Sequence, residues 1–440
     1  MPMAINRSVV SVDESQGRNE IISRQAELLG ELVRTINGRN IFYTRKFSAA
    51  GLDIKELDFP SDLVRLPLTT KAELIRDQET APPWGTVLTE SIGRYTHYNQ
   101  TSGTTGRPLR WLDTIESWQW MLECWQSVYR GAHVVSTDRI LFPFSFGPFL
   151  GFWTAYDAAV QCGLHCIPAG GMSSDARLDL IEVVEPTVIC CTPTYALRLL
   201  EVAGERGGST GILVKNSVRV IIVSGEPGGN IPATRARIEQ GWGARVIDHH
   251  GLTEVGPVSF ECWEQPGSLH LNECRFIGEV LDPQTQKPTA DGNPGELVLT
   301  NLGRFASPVI RYRTGDIVVR TCNPCECGRT MARFEGGIRT RADDMLTIRG
   351  VNVYPTAVEA VLRAVDEIVE YRATVSRTNA LPVLSIEIEL DPSTTDQEVV
   401  SRQTAMRLHD SLGFVVPVTV VSLGSLPRFE IKAKRFFVKT

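Results

Sequence analysis

The fold is decided by the stretch Val218-Arg219-Val220-Ile221-Ile222-Val223-Ser224-Gly225-Glu226, an apolar, β-branched run that ends in a turn. Similar runs occur at residues 139–142, 187–191 and 245–248, and a helical pattern over 195–202 follows the second of these. Apolar strands that alternate with helices are typical of a mainly parallel sheet covered on both faces. Ligands collect at the carboxyl ends of the strands in such sheets, so the residues after these strands are the first candidates for a site.

The segments before and after these units show different patterns of predicted secondary structure. Residues 22–57 are predicted to be mainly helical, because leucine and valine recur there at helical spacing. Residues 278–312 are hairpin-like, with strands predicted at 295–300 and 308–312, and indicate a small antiparallel β module. Beyond residue 343 the pattern suffices for a small α+β domain of ~100 residues. Its predicted elements are strands at 345–348, 369–375 and 383–390 and a helix at 355–365.

Composition excludes several classes of protein. The chain has 440 residues, 42% of them hydrophobic, and a formal net charge of −6, so no global positive field attracts nucleic acid or anionic lipid. No run of about 18 apolar residues is present, and the first 18 residues are polar, which argues against a membrane span or a secretory signal. The ten cysteines are too sparse for a disulfide scaffold. We therefore expect a cytoplasmic enzyme with no nucleic-acid or membrane partner.

The strongest local motif is Thr101-Ser102-Gly103-Thr104-Thr105-Gly106-Arg107-Pro108, between strand-like segments at 95–98 and 109–112. Glycines give the backbone freedom, hydroxyls give hydrogen-bond donors, and Arg107 adds charge, so the loop can wrap a polyphosphate. It is not a Walker A loop, because it has no lysine and no helix follows it. A polar hairpin turn is the alternative interpretation.

Four further motifs follow in order, and together the five resemble those of the adenylate-forming ligases, the superfamily of acyl-CoA synthetases and peptide-synthetase adenylation domains. The resemblance is closest to the phenylacetate-CoA ligase branch and covers about residues 45–440. The four motifs are Asp248-His249-His250-Gly251-Leu252-Thr253-Glu254, Arg311-Tyr312-Arg313-Thr314-Gly315-Asp316, Thr340-Arg341-Ala342-Asp343-Asp344-Met345 continuing to Gly350-Val351-Asn352-Val353-Tyr354-Pro355, and Leu426-Pro427-Arg428 through Lys432.

This resemblance implies roles for individual residues in forming an acyl-adenylate. Thr253 would touch the α-phosphate of ATP, Glu254 would hold Mg²⁺, and Lys432 would be the catalytic lysine that bridges the substrate carboxylate and the α-phosphate. Asp316 would accept both ribose hydroxyls. The further nucleotide-binding residues that it implies are Thr101, Ser102, Gly103, Thr104, Thr105, Gly106, Ser224, Gly225, Glu226, Pro227, Asp248, His249, His250, Gly251, Ile338 and Arg341.

The resemblance also implies two domains that move. Residues 1–342 would form the adenylation domain, and residues 343–440 a mobile C-terminal domain that rotates about Asp343. That rotation would remove the lysine after adenylation and bring Arg349 and Gly350 towards the thiol of coenzyme A.

Simpler structural interpretations exist for several of these residues. Thr253 and Glu254 also suit a helix N-cap and its first turn, and Asp316 suits a type I turn. Residues 224–227 also suit an ordinary strand-to-helix connection, and a solvated basic tail would explain Lys432. The chain departs from the family pattern where His250 replaces a tyrosine, Ile431 a glycine, and Thr340 a glycine.

An acid pocket is predicted from the phenylalanine-rich run at 142–152. Aromatic rings around glycines suit a flat aryl acid, and the expected contacts are Phe144, Phe149, Gly151, Ser224, His249, His250 and Gly251. Single phenylalanines of this run also suit the core. The two histidines beside the pocket make a hydroxy- or amino-substituted acid more attractive than unsubstituted phenylacetate.

A cysteine cluster, Cys322-Asn323-Pro324-Cys325-Glu326-Cys327-Gly328-Arg329, has the short spacing of a thiolate zinc knuckle. The resemblance implies that Cys262 and His270 complete a closed, structural Zn²⁺ site with Cys325 and Cys327. Cys322 and Cys274 are rival ligands, and free thiols are the alternative.

The leading hypothesis is an AMP-forming ligase that uses ATP and Mg²⁺ to activate an aryl acid and transfers the acyl group to coenzyme A. One alternative changes the acceptor to a carrier protein, an amine or a hydroxyl. Another is a nucleotide-binding protein without catalysis. A homodimer is compatible with all three.

Overall fold

The computed structural model describes residues 13–101, 108–206, 216–344, 346–348, 351–378, 381–429 and 433–438. Its N-terminal part is helical, as predicted for residues 22–57. The first helix buries one apolar stripe, which includes Leu29, Leu32 and Val33. Capping fixes where the third helix begins, because Thr70 and Glu73 exchange side-chain and backbone hydrogen bonds. The helices are α1 (Arg18–Ile36), α2 (Ile41–Ala49) and α3 (Lys71–Thr80).

An antiparallel hairpin and a long helix follow. Strand β1 (Tyr95–Gln100) pairs with β2 (Arg110–Thr114), which runs directly into helix α4 (Ile115–Gly131). Thr114 caps α4 by accepting a hydrogen bond from the Ser117 backbone N–H. The hairpin thus carries the two ends of the predicted phosphate-binding loop.

The centre of the structure is a five-stranded parallel array in the order β4-β3-β5-β6-β7. Strands β5 and β6 are buried along their whole length, which explains why they read as uninterrupted apolar runs. The elements are β3 (Arg139–Phe142), α5 (Leu150–Gln161), β4 (His165–Pro168), α6 (Ser174–Val184), β5 (Val188–Cys191), α7 (Pro193–Glu205), β6 (Val220–Val223), α8 (Pro232–Trp242) and β7 (Arg245–Leu252).

The antiparallel module is joined to this array, because β7 is parallel to β6 and pairs antiparallel with β8 on its other side. The path continues as β8-β9-β13-β12-β11-β10, with β14 beside β12, so the described residues form one twelve-stranded sheet. Its remaining strands are β8 (Gly256–Glu261), β9 (Ser268–Leu271), β10 (Phe276–Leu281), β11 (Pro294–Asn301), β12 (Tyr312–Thr321), β13 (Arg333–Glu335) and β14 (Thr340–Arg341).

The predicted strand at 308–312 is wrong, since β12 begins only at Tyr312. Arg311 has a positive φ of 46°, which breaks an extended chain. Its guanidinium is held by both oxygens of Glu279 at 2.8 Å and by the carbonyl of Leu66 at 2.7 Å. These tertiary hydrogen bonds offset the cost of the unusual backbone conformation.

The C-terminal part has its own sheet and its own apolar core, which includes Val358, Leu362 and Ile386. Its main sheet has the order β19-β18-β17-β20, while β15 and β16 form a separate hairpin. The elements are β15 (Leu346–Ile348), β16 (Val351–Val353), α9 (Pro355–Arg363), β17 (Ile368–Thr378), β18 (Leu381–Leu390), α10 (Gln397–Leu412), β19 (Val418–Val421) and β20 (Phe436–Val438). The predicted α/β fold class is confirmed. No helix among the described residues has the length and apolar character to cross a bilayer.

Candidate active site

A cavity of about 320 Å³ opens where β5, β6 and β7 end. A parallel sheet leaves its strand ends uncovered at one edge, and loops from neighbouring elements complete the wall there. Of the residues predicted to contact an acid, the structure places six on this wall: Phe144, Phe149, Gly151, Ser224, His249 and Gly251.

Phenylalanine rings form one side of the cavity. Phe144 and Phe152 stack with centroids 4.1 Å apart and planes 18° from parallel, and Phe149 meets Phe152 edge-on at 5.9 Å. Phe142 is fully buried and packs behind them against Tyr156. This apolar wall favours a flat ring.

His249 is a buried titratable group of the wall, and the only histidine among the described residues that line it. Its ring lies against Trp125 with centroids 4.4 Å apart, and its Nδ1 is 2.8 Å from the carbonyl oxygen of Ser259. A carbonyl only accepts, so Nδ1 carries the proton and Nε2 has an unshared pair. Burial lowers the pKa of His249 to about 3, which keeps the imidazole neutral. No described residue hydrogen-bonds to Nε2.

His250, which was also expected beside the acid, does not line the cavity. Its Nε2 is 3.1 Å from Oδ2 of Asp316, and Ser259 Oγ is 3.3 Å from its Nδ1. Oδ1 of Asp316 accepts a hydrogen bond from Arg341 Nη1 at 3.0 Å. Asp316 is buried within β12, so the type I turn interpretation is wrong. The structure therefore joins three of the predicted nucleotide-binding residues in one ion-paired group.

Thr253 and Glu254 lie in the turn between β7 and β8, so a helix N-cap is excluded. Glu254 is buried, and its Oε1 accepts a hydrogen bond from the Tyr312 hydroxyl at 3.1 Å. Lys71 Nζ lies 3.3 Å from the same oxygen. Both of these contacts are to Oε1. The second oxygen of the carboxylate is therefore still available as a ligand for Mg²⁺.

A buried ion pair holds the backbone of this turn. Arg304 Nη1 donates to the carbonyl of Thr253 at 2.8 Å, and its Nε and Nη2 donate to both oxygens of Asp113 at 2.6 Å. Both side chains are completely buried. Sequence reasoning missed Lys71, Asp113, Arg304 and Tyr312. Only Tyr312 carried a signal, because it stands inside the 311–316 motif.

The other predicted nucleotide-binding residues surround this group. Ser224 and Gly225 line the cavity, whereas Glu226 and Pro227 continue the same turn away from it. Thr101 is buried and bonded to Leu109 at the end of the hairpin. The backbone carbonyl of Ile338 accepts a hydrogen bond from Asn230 at 2.7 Å. Asp343 lies in a short 3-10 turn, Ala342–Asp344. Ser102, Gly103, Thr104, Thr105, Gly106, Arg349, Gly350 and Lys432 lie outside the described residues.

Asp248 is buried at the point where β7 leaves the parallel array. Its backbone N–H donates to Glu261 at 2.8 Å, and its Oδ1 accepts from the His249 N–H at 3.0 Å. Burial and the charge of Glu261 raise the pKa of Asp248 to about 8, although Arg235 opposes the shift. The side chain is therefore protonated at neutral pH and can donate a hydrogen bond.

The four predicted zinc ligands lie together at the edge of the sheet. The ligand atoms of Cys262, His270, Cys325 and Cys327 are all within 4.8 Å of one another. The Sγ atoms of Cys262 and Cys325 are 3.6 Å apart, and Cys327 Sγ is 3.5 Å from Nε2 of His270. A tetrahedron with metal–sulfur bonds of about 2.3 Å has edges of roughly 3.7 Å, so the four residues fit Zn²⁺.

This geometry can be compared with known proteins. Residues 97–305 match the model of the AMP-binding enzymes, and residues 350–439 match that of the AMP-binding enzyme C-terminal domain. The phenylacetate-coenzyme A ligase of Thermus thermophilus is 34% identical over 439 residues, covering 95% of this chain and 96% of the relative.

Solved structures agree with these matches. A 2-hydroxyisobutyryl-CoA ligase in the postadenylation state superposes with a TM-score of 0.89 at 25% identity, covering 97% of this chain and 91% of that one. The same ligase in the thioesterification state gives a TM-score of 0.72 at 26% identity, with the same two coverages. The domain arrangement here therefore resembles the postadenylation state more closely.

The fold and site define an adenylate-forming enzyme that ligates an acid to a thiol with ATP. The chain belongs to the AMP-binding enzymes and, within them, to the family of the phenylacetate-coenzyme A ligases.

The neutral state of His249 predicts a pH dependence of folding. The pKa of a histidine is about 6.5 in an unfolded chain and about 3 in the folded protein. The unfolded chain therefore binds the additional proton between these values, and the contribution of His249 to the free energy of unfolding falls as pH drops below about 6.5. At pH 5 this loss is roughly 2 kcal/mol.

We expect His249→Asn, whose amide retains a donor for Ser259, to lose less stability than the parent between pH 7 and pH 5. Urea unfolding at both pH values measures the difference. Asp248, whose pKa is raised on folding, contributes with the opposite sign over this range in both proteins, so the test is the difference between parent and variant and not the net change of either. An identical loss in parent and variant would contradict the neutral, buried imidazole.

Proposed function

We propose that this enzyme activates an aromatic carboxylic acid whose ring bears a hydroxyl or amino group, and that it transfers the resulting acyl group to coenzyme A. One observation carries the substrate class. The phenylalanine wall suits a flat ring, while His249 offers an acceptor in the same wall with no protein partner among the described residues. A ring hydroxyl or amino group supplies the missing donor.

The proposed reaction begins when the acid attacks the α-phosphorus of ATP and pyrophosphate leaves. Thr253 contacts the α-phosphate, Glu254 holds Mg²⁺, and Lys432 bridges the two repelling anions. The Asp316 and Arg341 pair receives the ribose. Thr253 lines the acid cavity, and Asp316 and Arg341 are hydrogen-bonded to the neighbouring group around His250 of β7, which supports this assignment for these three residues.

Adenine, in this proposal, is bordered by the backbone of residues 224–227 and by Asp248, Gly251 and Ile338, and the phosphates by residues 101–106. Residues 1–342 act as the adenylation domain and residues 343–440 as the mobile domain, with Asp343 as the hinge. The separate C-terminal core supports that division. All ten cysteines are free thiols, which supports a reducing, cytoplasmic compartment.

Acid-dependent ATP–pyrophosphate exchange tests the substrate class. The panel consists of matched pairs: benzoate and phenylacetate, each with its hydroxy and amino derivatives. We expect kcat/KM to be about tenfold higher for the best donor-bearing acid than for its unsubstituted partner. His249→Phe, whose ring has no acceptor atom, should remove most of that preference. Addition of coenzyme A should then yield the acyl thioester and AMP.

Equal kcat/KM values across each pair would contradict the role of His249. Exchange without a thioester would shift the acceptor to a carrier protein, an amine or a hydroxyl. No exchange with any acid would exclude the proposed reaction.

We also propose that Cys262, His270, Cys325 and Cys327 bind one structural Zn²⁺. Two buried thiols, Cys262 and Cys325, and the half-buried thiol of Cys327 lie beside one imidazole; they repel one another when ionised, and a divalent cation removes that repulsion. The site would tie β8 and β9 to the loop before β13, and it leaves no position for water or substrate.

We expect about one zinc per chain by elemental analysis. Removing it with a chelator, or changing Cys325 and Cys327 to serine, should lower the melting temperature without altering the KM for ATP. Cys322→Ser is the matched control, because this thiol is exposed and outside the group of four, and it should retain the metal. A metal-free protein of unchanged stability would refute the site.

A further inference from the structure

The turn after β6 contacts the C-terminal end of the chain through one carboxylate. Oε1 of Glu226 accepts a hydrogen bond from the Thr194 backbone N–H at 2.9 Å, and Oε2 accepts one from the Ala433 N–H at 2.8 Å. Thr194 is the second residue of α7, where backbone N–H groups have no partner within the helix. Glu226 therefore satisfies one donor of the helix and one donor of the distant segment.

The same segment is held again two residues later. Arg435 is buried, and its Nε and Nη2 donate to both oxygens of Glu370 at 2.6 and 2.9 Å. Its Nη1 donates to Thr194 Oγ1 at 3.3 Å. Thr194 and Glu226 thus hold both ends of residues 433–435 against the start of α7.

The surroundings of these contacts are polar and incompletely packed. A cavity of about 250 Å³ lies beside them, lined by several arginines and glutamates. Arg237 donates to the carbonyl of Ile368 at 3.1 Å, and Arg428 lies 3.5 Å from Glu201. Partly exposed ion pairs contribute little. The hydrogen bonds of Glu226 and Arg435 are therefore the specific contacts that hold the two parts together here.

We propose that Glu226 is a positioning residue for adenylation: it fixes residue 433 and thereby the lysine that precedes it, Lys432. The inference rests on the proposed function, which gives Lys432 its role. It goes beyond that function, because the resemblance assigns Glu226 to the nucleotide, whereas both of its oxygens bond to backbone donors outside the cavity. When the C-terminal domain rotates for acyl transfer, the bond to Ala433 breaks and no longer matters to the rate.

Glu226→Gln tests this proposal with an almost unchanged shape. A glutamine has one acceptor oxygen, so its NH₂ group must face one of the two N–H donors. We expect the rate of ATP–pyrophosphate exchange to fall roughly 10- to 100-fold with an unchanged KM for ATP. Thioester formation from a supplied aryl-adenylate and coenzyme A should keep its rate.

The matched control is Glu205→Gln, at the far end of α7, where an exposed glutamate pairs only with Arg198 among the described residues. It should match the parent in both half-reactions. If the glutamine variant does not fold, Glu226→Asp retains the charge but shortens the reach, and we expect the same division between half-reactions.

Three results would overturn the inference. A raised KM for ATP at unchanged kcat would make Glu226 a nucleotide contact, and equal losses in both half-reactions would make its role structural. Exchange equal to that of the parent would show that the bond to Ala433 is dispensable. Failure of the proposed function itself is distinguishable, because the unmodified enzyme would then show no exchange.

Discussion

The buried ion pair between Arg304 and Asp113 is the interaction on which the site depends. It joins the end of β2, the loop after β11 and the carbonyl of Thr253. Removing one partner of such a pair leaves a buried charge uncompensated, at a cost of about 3–5 kcal/mol. The pair therefore fixes three segments that approach from different parts of the chain. The β1–β2 hairpin and the turn that carries Glu254 are both held by this pair.

The two histidines of strand β7 lie on opposite faces of the sheet and have different surroundings. Successive side chains of a strand point to opposite faces, so two adjacent histidines cannot both face the acid. His249 lies in the cavity wall against Trp125, and His250 lies against Asp316. Burial keeps the first imidazole neutral, whereas the second is paired with a carboxylate. One strand thus separates the apolar cavity proposed for the acid from the charged group proposed for the nucleotide within a few residues.

Local patterns in the sequence were sufficient for much of this architecture. The apolar runs of β5 and β6 predicted a parallel sheet, because both strands are buried on both faces. The four predicted zinc ligands came from the resemblance and from the spacing of the cysteines. The structure brings these four side chains together. The predicted strand at 308–312 is wrong because Arg311 is held by Glu279 and by the carbonyl of Leu66. These contacts come from distant parts of the chain, so a local sequence pattern does not reveal them.

One physical reason explains why the sequence did not reveal three residues of the candidate site. Lys71, Asp113 and Arg304 reach the site from elements far apart in the chain, and their neighbours in sequence say nothing of their partners. The prediction that His250 lies beside the acid together with His249 is wrong, because its ring is hydrogen-bonded to Asp316. Strand alternation corrects that inference once the strand is known to extend to Leu252.

Attack of the acid on the α-phosphorus of ATP can be followed by the transfer of an oxygen isotope. The preferred aryl acid, labelled with ¹⁸O at both carboxyl oxygens, is converted with ATP and coenzyme A, and the products are analysed by mass spectrometry. One carboxyl oxygen bridges carbon and phosphorus in the adenylate, and it leaves with phosphorus when the thiol attacks the carbonyl carbon. The account predicts AMP carrying one ¹⁸O. Unlabelled AMP, or ¹⁸O found in orthophosphate with ADP as the other product, would contradict it.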